Sequence, residues 1–239
     1  MGGRIELKYQ IDYRQREKLL GLFGTYLEAD SHADERAVYP IMSLYFDSPS
    51  LRFYDEKLEG EAVRNKVRLR GYGYDWKGLD PVILEIKHKI GPRIYKYRKK
   101  LGVFRPEYWD PNSWKLGDDP KAAPVQALAA RYRLRPAVQI LYQRETYESP
   151  YVPGLRIAFD SQLVALHPNE SMSSAIFDSP AHRLMRETDF IFEVKSNGGL
   201  PDWVQRGIEA CQLQVRSISK YVLGIEKLNL HNQEMGVYA

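Results

Sequence analysis

Six segments of this chain alternate between apolar and charged residues with a two-residue period, and most of the charges are cationic. Arg4, Glu6 and Lys8 alternate with Ile5, Leu7 and Tyr9, and Lys66, Arg68 and Arg70 with Val67 and Leu69. Glu85, Lys87 and Lys89 lie opposite Leu84, Ile86 and Ile90, and Lys96, Arg98 and Lys100 opposite Tyr95 and Tyr97. Tyr142 and Arg144 share one parity, while Glu193 and Lys195 oppose Phe192 and Val194. A period of two marks β-strands whose successive side chains point to opposite faces. Each strand therefore has one apolar and one charged face.

The charged faces constrain the fold further. Cations at i and i+2 of a strand stand ~6.6 Å apart. At an effective dielectric of about 20 such a pair repels by roughly 2.5 kcal/mol, and by far less in open water. A solvent-facing sheet explains any one of these strands. Six together, rich in Arg and Lys rather than in Ser, Thr and Gln, call for a counter-charge. Eight antiparallel strands can close into a barrel. Closure would put the apolar faces outward under helices and the cations inward, around a basic tunnel suited to an elongated polyanion.

Strand-like segments fall near 4–11, 41–47, 62–74, 81–90, 92–101, 137–148, 155–165 and 189–196. Gly78-Leu79-Asp80-Pro81 and Gly91-Pro92 separate neighbours closely enough for antiparallel hairpins. Asp12 can cap a helix through about Leu27. Ser48-Pro49 reads as an N-cap with proline in the first turn of a short helix ending at Leu58. Val125 to Tyr132 is helical, and a last helical region starts at Pro201, breaks, and resumes around Ser217. Phe104 to Pro124 reads as an excursion outside the sheet. The fold class is α+β, an eight-stranded antiparallel β-barrel with helices outside, in a single domain over 1–239.

The net charge of +4 permits a basic site without arguing for nucleic acid. In "RIYKYRKK", Tyr95 and Tyr97 lie opposite Lys96 and Arg98, so bases could not stack and pair with charge together. The one cysteine, Cys211, excludes an intramolecular disulfide and a Cys-rich metal site. No apolar run approaches a membrane span, and a cytoplasmic setting is expected.

Seven stretches occur together in order: Arg4-Ile-Glu-Leu-Lys8, "SLYFDSPSLRFYDEKL" at 43–58, "VRLRGYG" at 67–73, "LEIKHK" at 84–89, "LYQRETY" at 141–147, "FEVKSN" at 192–197 and "SISKYVLGI" at 217–225. Over nearly the whole chain this resembles the VTC domain, the polyphosphate polymerase domain of the vacuolar transporter chaperone family, a branch of the CYTH-like triphosphate tunnel metalloenzymes. The resemblance implies an eight-stranded tunnel. With Mn²⁺ or Mg²⁺, it would transfer the terminal phosphate of ATP onto a growing polyphosphate chain. It further implies phosphate binding by Lys8, Arg68, Arg70, Lys87, Lys89, Tyr142, Arg144, Ser219 and Lys220, and a metal ligand in Glu193. Lys96 and Arg98 match a basic strand of the family in one of two registers. Arg4, Lys66 and Lys195 join the set by parity, and Glu6 and Glu85 are further candidate metal ligands.

Arg4 stands where the hydrolytic branch of the superfamily has a first Glu, and losing it weakens a two-metal water-activating site. Glu6 stands where the fungal polymerase domain has a neutral residue. Lys87, Arg68, Arg70 and Glu193 are the expected catalytic set: positioning and charge neutralisation do most of phosphoryl transfer, and Arg forks and Lys point charges suit phosphate oxygens. The expected partners are ATP and polyphosphate or tripolyphosphate, with a membrane protein as one candidate to collect the product. A tripolyphosphate or nucleoside triphosphate hydrolase and a non-catalytic polyphosphate-binding module are the alternatives. Asp160 is expected to pair with a cation, and Asp47 in "YFDS" to be structural.

Overall fold

The computed structural model describes residues 5–30, 38–114, 116–117, 119 and 121–232. Among the described residues are nine strands and five α-helices, in the order β1 (Ile5–Asp12), α1 (Tyr13–Phe23), β2 (Glu28–Ala29), β3 (Val38–Asp47), α2 (Arg52–Leu58), β4 (Val63–Gly71), β5 (Val82–Ile90), β6 (Arg93–Gly102), α3 (Ala122–Tyr132), β7 (Arg135–Glu148), β8 (Arg156–Leu166), β9 (Asp189–Ser196), α4 (Asp202–Ala210) and α5 (Lys220–Lys227). The sheet runs β1-β9-β8-β7-β3-β4-β5-β6, with β2 paired to β7 beside that path.

The α+β antiparallel class holds, but among the described residues the hydrogen-bonded order does not close into the expected eight-stranded barrel. There are nine strands, and β1 and β6 end the hydrogen-bonded order among the described residues. β6 is mostly exposed and carries Lys96, Arg98, Lys99 and Lys100, the kind of charged edge that discourages further pairing. The ninth strand, β2, is two residues long, too short to show any period.

Two compact units emerge. The first combines the N-terminal segment through Pro40 with Tyr142–Leu163 and Met185–Ser219. Its core stacks Tyr9 on Phe192 at 5.5 Å between ring centroids and Phe192 on Phe159 at 5.2 Å. Leu19, Phe23 and Val204 from α1 and α4 cover these rings. Asp12 starts α1 as expected, in a capping box: its carboxylate accepts the Gln15 N–H while the Gln15 side chain accepts the Asp12 N–H. Gly207 permits the α1–α4 approach, since a Cβ there would lie 2.4 Å from Phe23 Cε1.

The second unit combines Ile41–Leu141, Val164–Leu184 and the chain from Lys220 onward. The apolar parity of β3, β4 and β5 supplies Leu44, Phe46, Val67, Leu69, Leu84 and Ile86 to its core. The excursion after Phe104 is no loose loop. Tyr108, Trp114 and Leu116 cover that core, with Trp114 set edge-on to Phe46 at 5.1 Å and its indole N–H donating to the Tyr108 carbonyl at 2.7 Å.

The Ser48-Pro49 reading is corrected. α2 begins at Arg52, and its N-cap Leu51 is left-handed with φ 51°. Asp47 takes over the capping: Oδ1 accepts from Phe53 N at 2.9 Å and Oδ2 from Tyr54 N at 3.0 Å. The carboxylate one residue before Ser48 takes two N–H groups of the first turn, while the Ser48 hydroxyl accepts the Arg52 N–H at 3.0 Å and shares a hydrogen bond with the Ser50 hydroxyl at 3.2 Å.

Candidate phosphate-binding site

In the second unit the strand registers align the charged side chains into rows. Tyr45 of β3 faces Arg68 of β4, Arg68 faces Glu85 of β5, and Glu85 faces Arg98 of β6. One step along, Lys66 faces Lys87 and Lys87 faces Lys96. One step the other way, Ser43 faces Arg70 and Arg70 faces Ile83. This register fixes Lys96 and Arg98 on the same face as Lys87 and Glu85. A bulge between Val82 and Ile83 brings Lys100 opposite Ile83.

Like charges directly opposite on neighbouring strands destabilise a sheet, yet Lys66, Lys87 and Lys96 stand side by side at strand spacings of about 4.8 Å. Among the described residues Glu85 is the one carboxylate on this face of β4, β5 and β6. It is shared by three guanidinium groups: Arg68 Nη2 at 2.6 Å, Arg70 Nε at 3.5 Å and Arg98 Nε at 3.5 Å. Partial burial pushes its pKa up, but Arg68, Arg70 and Arg98 outweigh this and hold it below the ordinary value. Arg68 Nη1 also donates to the Tyr45 hydroxyl at 3.0 Å, and Lys66 Nζ stands 5.5 Å from the centre of the Tyr45 ring. Burial raises the pKa of Tyr45, yet Arg68, Lys66 and Arg70 bring it down to about 7.

The first unit holds a second cluster. β1 and β9 pair so that Lys8 faces Glu193 and Glu6 faces Lys195. Glu193 is 4% exposed; its Oε1 meets Lys195 at 3.1 Å and Lys8 at 3.7 Å, and its Oε2 accepts from Arg144 Nη2 at 3.2 Å. Arg144 forks onto Asp160, and its guanidinium carbon lies 5.5 Å from the centre of the buried Tyr142 ring. Burial disfavours the Arg144 charge, but Asp160, Tyr142 and Glu193 raise its pKa well above the ordinary value. Burial pulls Lys195 down to about 8 despite Glu193 beside it.

Ser219 is buried immediately before α5, and Lys220 is the first residue of that helix. Lys89 lies on the cationic face opposite Arg64. Arg4 lies outside the described residues. Among the described residues no group of three or more His, Cys, Asp and Glu side chains converges. Glu6 and Glu193 nonetheless both approach one cation, the Lys8 ammonium, at 3.5 and 3.7 Å. Two carboxylates fit a hard divalent ion that keeps waters and takes phosphate oxygens for its other ligands. Glu85, held by three arginines, suits the organisation of guanidinium groups instead.

Tyr45 is the site residue that sequence reasoning missed. "YFDS" reads as structural, and Asp47 is structural, but Tyr45 shares the parity of Ser43 and so faces Arg68 and Arg70. That alternation was the available signal.

The structure is an antiparallel α+β sheet with an arginine- and lysine-rich face. The profile of the VTC domain matches residues 3–229, and the chain belongs to that family, a polyphosphate-related member of the triphosphate tunnel class. A search of curated proteins finds no match. Among solved structures, a Bacillus halodurans protein provisionally described as an adenylate cyclase aligns over 91% of this chain and 94% of its own, at 10% identity and TM-score 0.51. The PH1819 protein of Pyrococcus horikoshii OT3 aligns over 95% of this chain and 98% of its own, at 13% identity and TM-score 0.48. At 10% identity the likeness to the Bacillus halodurans protein is one of fold.

Proposed function

We propose that this chain is a polyphosphate polymerase that transfers the γ-phosphoryl group of ATP onto a growing polyphosphate chain. The observation that carries this reading is the run of Lys and Arg rows across β4, β5 and β6 with Glu85 as the one carboxylate among the described residues there. A repeating polyanion presents negative charge at regular intervals, as these rows present positive charge. Family membership supplies the polyphosphate.

In this reading Arg68 and Arg70 grip phosphate oxygens with their forks, and Lys66, Lys87, Lys89 and Lys96 add point charges. Arg98 completes the row through Glu85. Lys8, Arg144, Lys195 and Tyr142 surround the Glu193 carboxylate, and Ser219 and Lys220 offer a hydroxyl and an ammonium at the start of α5. Glu193, with Glu6, would hold Mn²⁺ or Mg²⁺, which neutralises phosphate charge when bound. The side chains hold the phosphates and offset the charge that develops on the transferred group, which is most of what phosphoryl transfer asks of a protein. The setting we infer is cytoplasmic; no helix among the described residues is long and apolar enough to cross a membrane.

The test incubates purified protein with ATP and Mn²⁺ and assays long polyphosphate alongside orthophosphate. Polymer formation lost in Lys87→Ala and in Glu193→Gln is the expected result. Release of ADP without polymer overturns it. The second carboxylate, Glu6, favours a hydrolase as the competing reading, because a further carboxylate near the Glu193 site could help hold a metal that activates water. Rapid orthophosphate release from tripolyphosphate, indifferent to added polymer ends, would select it.

A further inference from the structure

Tyr45 sits at the end of the Arg68–Glu85–Arg98 row, 2% exposed, and its hydroxyl accepts from Arg68 Nη1 at 3.0 Å. The Arg68 guanidinium is thereby held at two edges: Nε and Nη2 by Glu85, and Nη1 by the phenol. On its other side the Tyr45 ring meets the Tyr221 ring at 5.3 Å with an interplanar angle of 38°. Tyr221 follows Lys220 in the first turn of α5, and its hydroxyl donates to Asp47 Oδ2. Asp47 in turn caps α2. One continuous line of contacts therefore ties Arg68 to the turn that carries Lys220.

We propose that Tyr45 is a positioning residue for triphosphate and polyphosphate recognition, holding the Arg68 fork for phosphate through its hydroxyl and registering it against the first turn of α5 through its ring. This rests on the reading of Arg68 as a phosphate-binding group. The arrangement also makes recognition depend on the protonation of the phenol. The groups facing it are Lys66, Arg68 and Arg70 from β4 and Tyr221 from α5. As a neutral hydroxyl, Tyr45 orients Arg68 and leaves the cationic face intact. As a phenolate, it supplies a negative charge to the same guanidinium that the phosphate needs. Anion binding then requires proton uptake at Tyr45, and affinity falls as pH rises through about 7.

The test measures tripolyphosphate binding by calorimetry, without metal or turnover, for wild type, Tyr45→Phe, Arg68→Lys and the double variant between pH 6 and 9. Phenylalanine keeps the ring, and thermal unfolding checks that the fold survives. At pH 6, Tyr45→Phe weakens binding roughly three- to tenfold, the scale of one ordinary net hydrogen bond. By pH 9 the ratio of variant to wild-type dissociation constant falls below one, because only wild type must take up a proton to bind, while the ligand's own titration cancels between the proteins. In the Arg68→Lys background the Tyr45→Phe loss at pH 6 shrinks to less than twofold, because the two changes remove one interaction. A ratio that stays constant with pH, or losses that multiply in the double variant, overturns the assignment while leaving the polyphosphate reading intact. Wild-type protein that binds no tripolyphosphate overturns both.

Discussion

Arg144 and Asp160 form a bidentate pair, Nε to Oδ1 at 2.5 Å and Nη2 to Oδ2 at 2.7 Å, and the same Nη2 reaches Glu193 Oε2 at 3.2 Å. Asp160 is fully buried, so its charge is tolerated only because the fork satisfies both oxygens. Asp160→Asn is expected to lower stability by about 3 kcal/mol, since it leaves Arg144 short of a buried counter-charge. In a chain of this size that corresponds to a fall in Tm of about 6–12 °C. The released guanidinium would turn more fully onto Glu193. The Mn²⁺ concentration for half-maximal activity is therefore expected to rise several-fold, and a metal titration of the variant checks it. An unchanged metal requirement would show that Asp160 serves only the fold.

Glu85 does for the second unit what Asp160 does for the first, at a partly exposed position. Replacing it with Gln leaves Arg68, Arg70 and Arg98 facing each other without a carboxylate. The expected cost is about 1–2 kcal/mol at pH 7. The sign of the pH dependence follows from its lowered pKa: the stability it contributes is present above the ordinary value of 4.5 and is lost as pH falls through the depressed one. Glu85→Gln should therefore flatten the acid limb of the stability curve. Added tripolyphosphate should raise the Tm of the variant more than that of wild type, because the ligand replaces the missing negative charge. Thermal scans with and without ligand decide it; equal shifts would mean the phosphates bind elsewhere.

The sequence carried the parity of these rows but not their partners. Alternation in 66–70 and 85–89 was enough to put Arg68, Arg70, Lys87 and Lys89 on one face, because a half-buried strand leaves no other choice. It did not say which residue lies opposite which. Register rests on the turns and on the bulge at Val82 and Ile83, and only register reveals that Lys66, Lys87 and Lys96 align while Arg68 and Arg98 share Glu85. Tyr45 was hidden for a different reason: Ser43, Tyr45 and Asp47 alternate with Met42, Leu44 and Phe46, but that row carries no cation to mark it as part of the charged face. The barrel expectation came from counting strands. Whether the last pair joins is a long-range property that no local period encodes, and a lysine-rich β6 is as consistent with an edge as with a lumen.

Gly207 offers a test of packing apart from charge. Replacing glycine with alanine inside an exposed helix normally stabilises by up to about 1 kcal/mol. Here the added Cβ would stand 2.4 Å from Phe23 Cε1 and 2.6 Å from Cζ, in the core where Phe23 also meets Phe192 and Trp203. Phe23 is fully buried and cannot swing away. Gly207→Ala is therefore expected to destabilise by about 1–3 kcal/mol, the usual cost of overpacking. Urea unfolding measures it, and a stabilised variant would refute the tight α1–α4 approach.

Asp47 gives the clearest pH signature. Its Oδ1 accepts from Ser48 N at 2.6 Å and Phe53 N at 2.9 Å, and its Oδ2 from Tyr54 N at 3.0 Å and from the Tyr221 hydroxyl. Burial nonetheless dominates, lifting its pKa from 3.8 to about 6 against the pull of Tyr221, Phe53, Ser48 and Tyr54. Between those values the folded chain holds a proton that the unfolded chain has released. The stability contributed by this group is thus full below about 4 and is lost as pH rises through about 6. Asn in place of Asp47 cannot titrate, and its amide nitrogen would confront the Tyr54 N–H, a mismatch costing about 2 kcal/mol at pH 7. The deficit should widen as the pH is lowered from 7 to 4, because only the wild type gains from proton uptake. Urea unfolding of both proteins at several pH values measures the gap, and a gap that narrows on acidification would mean that the ionised carboxylate is the favoured form in the fold.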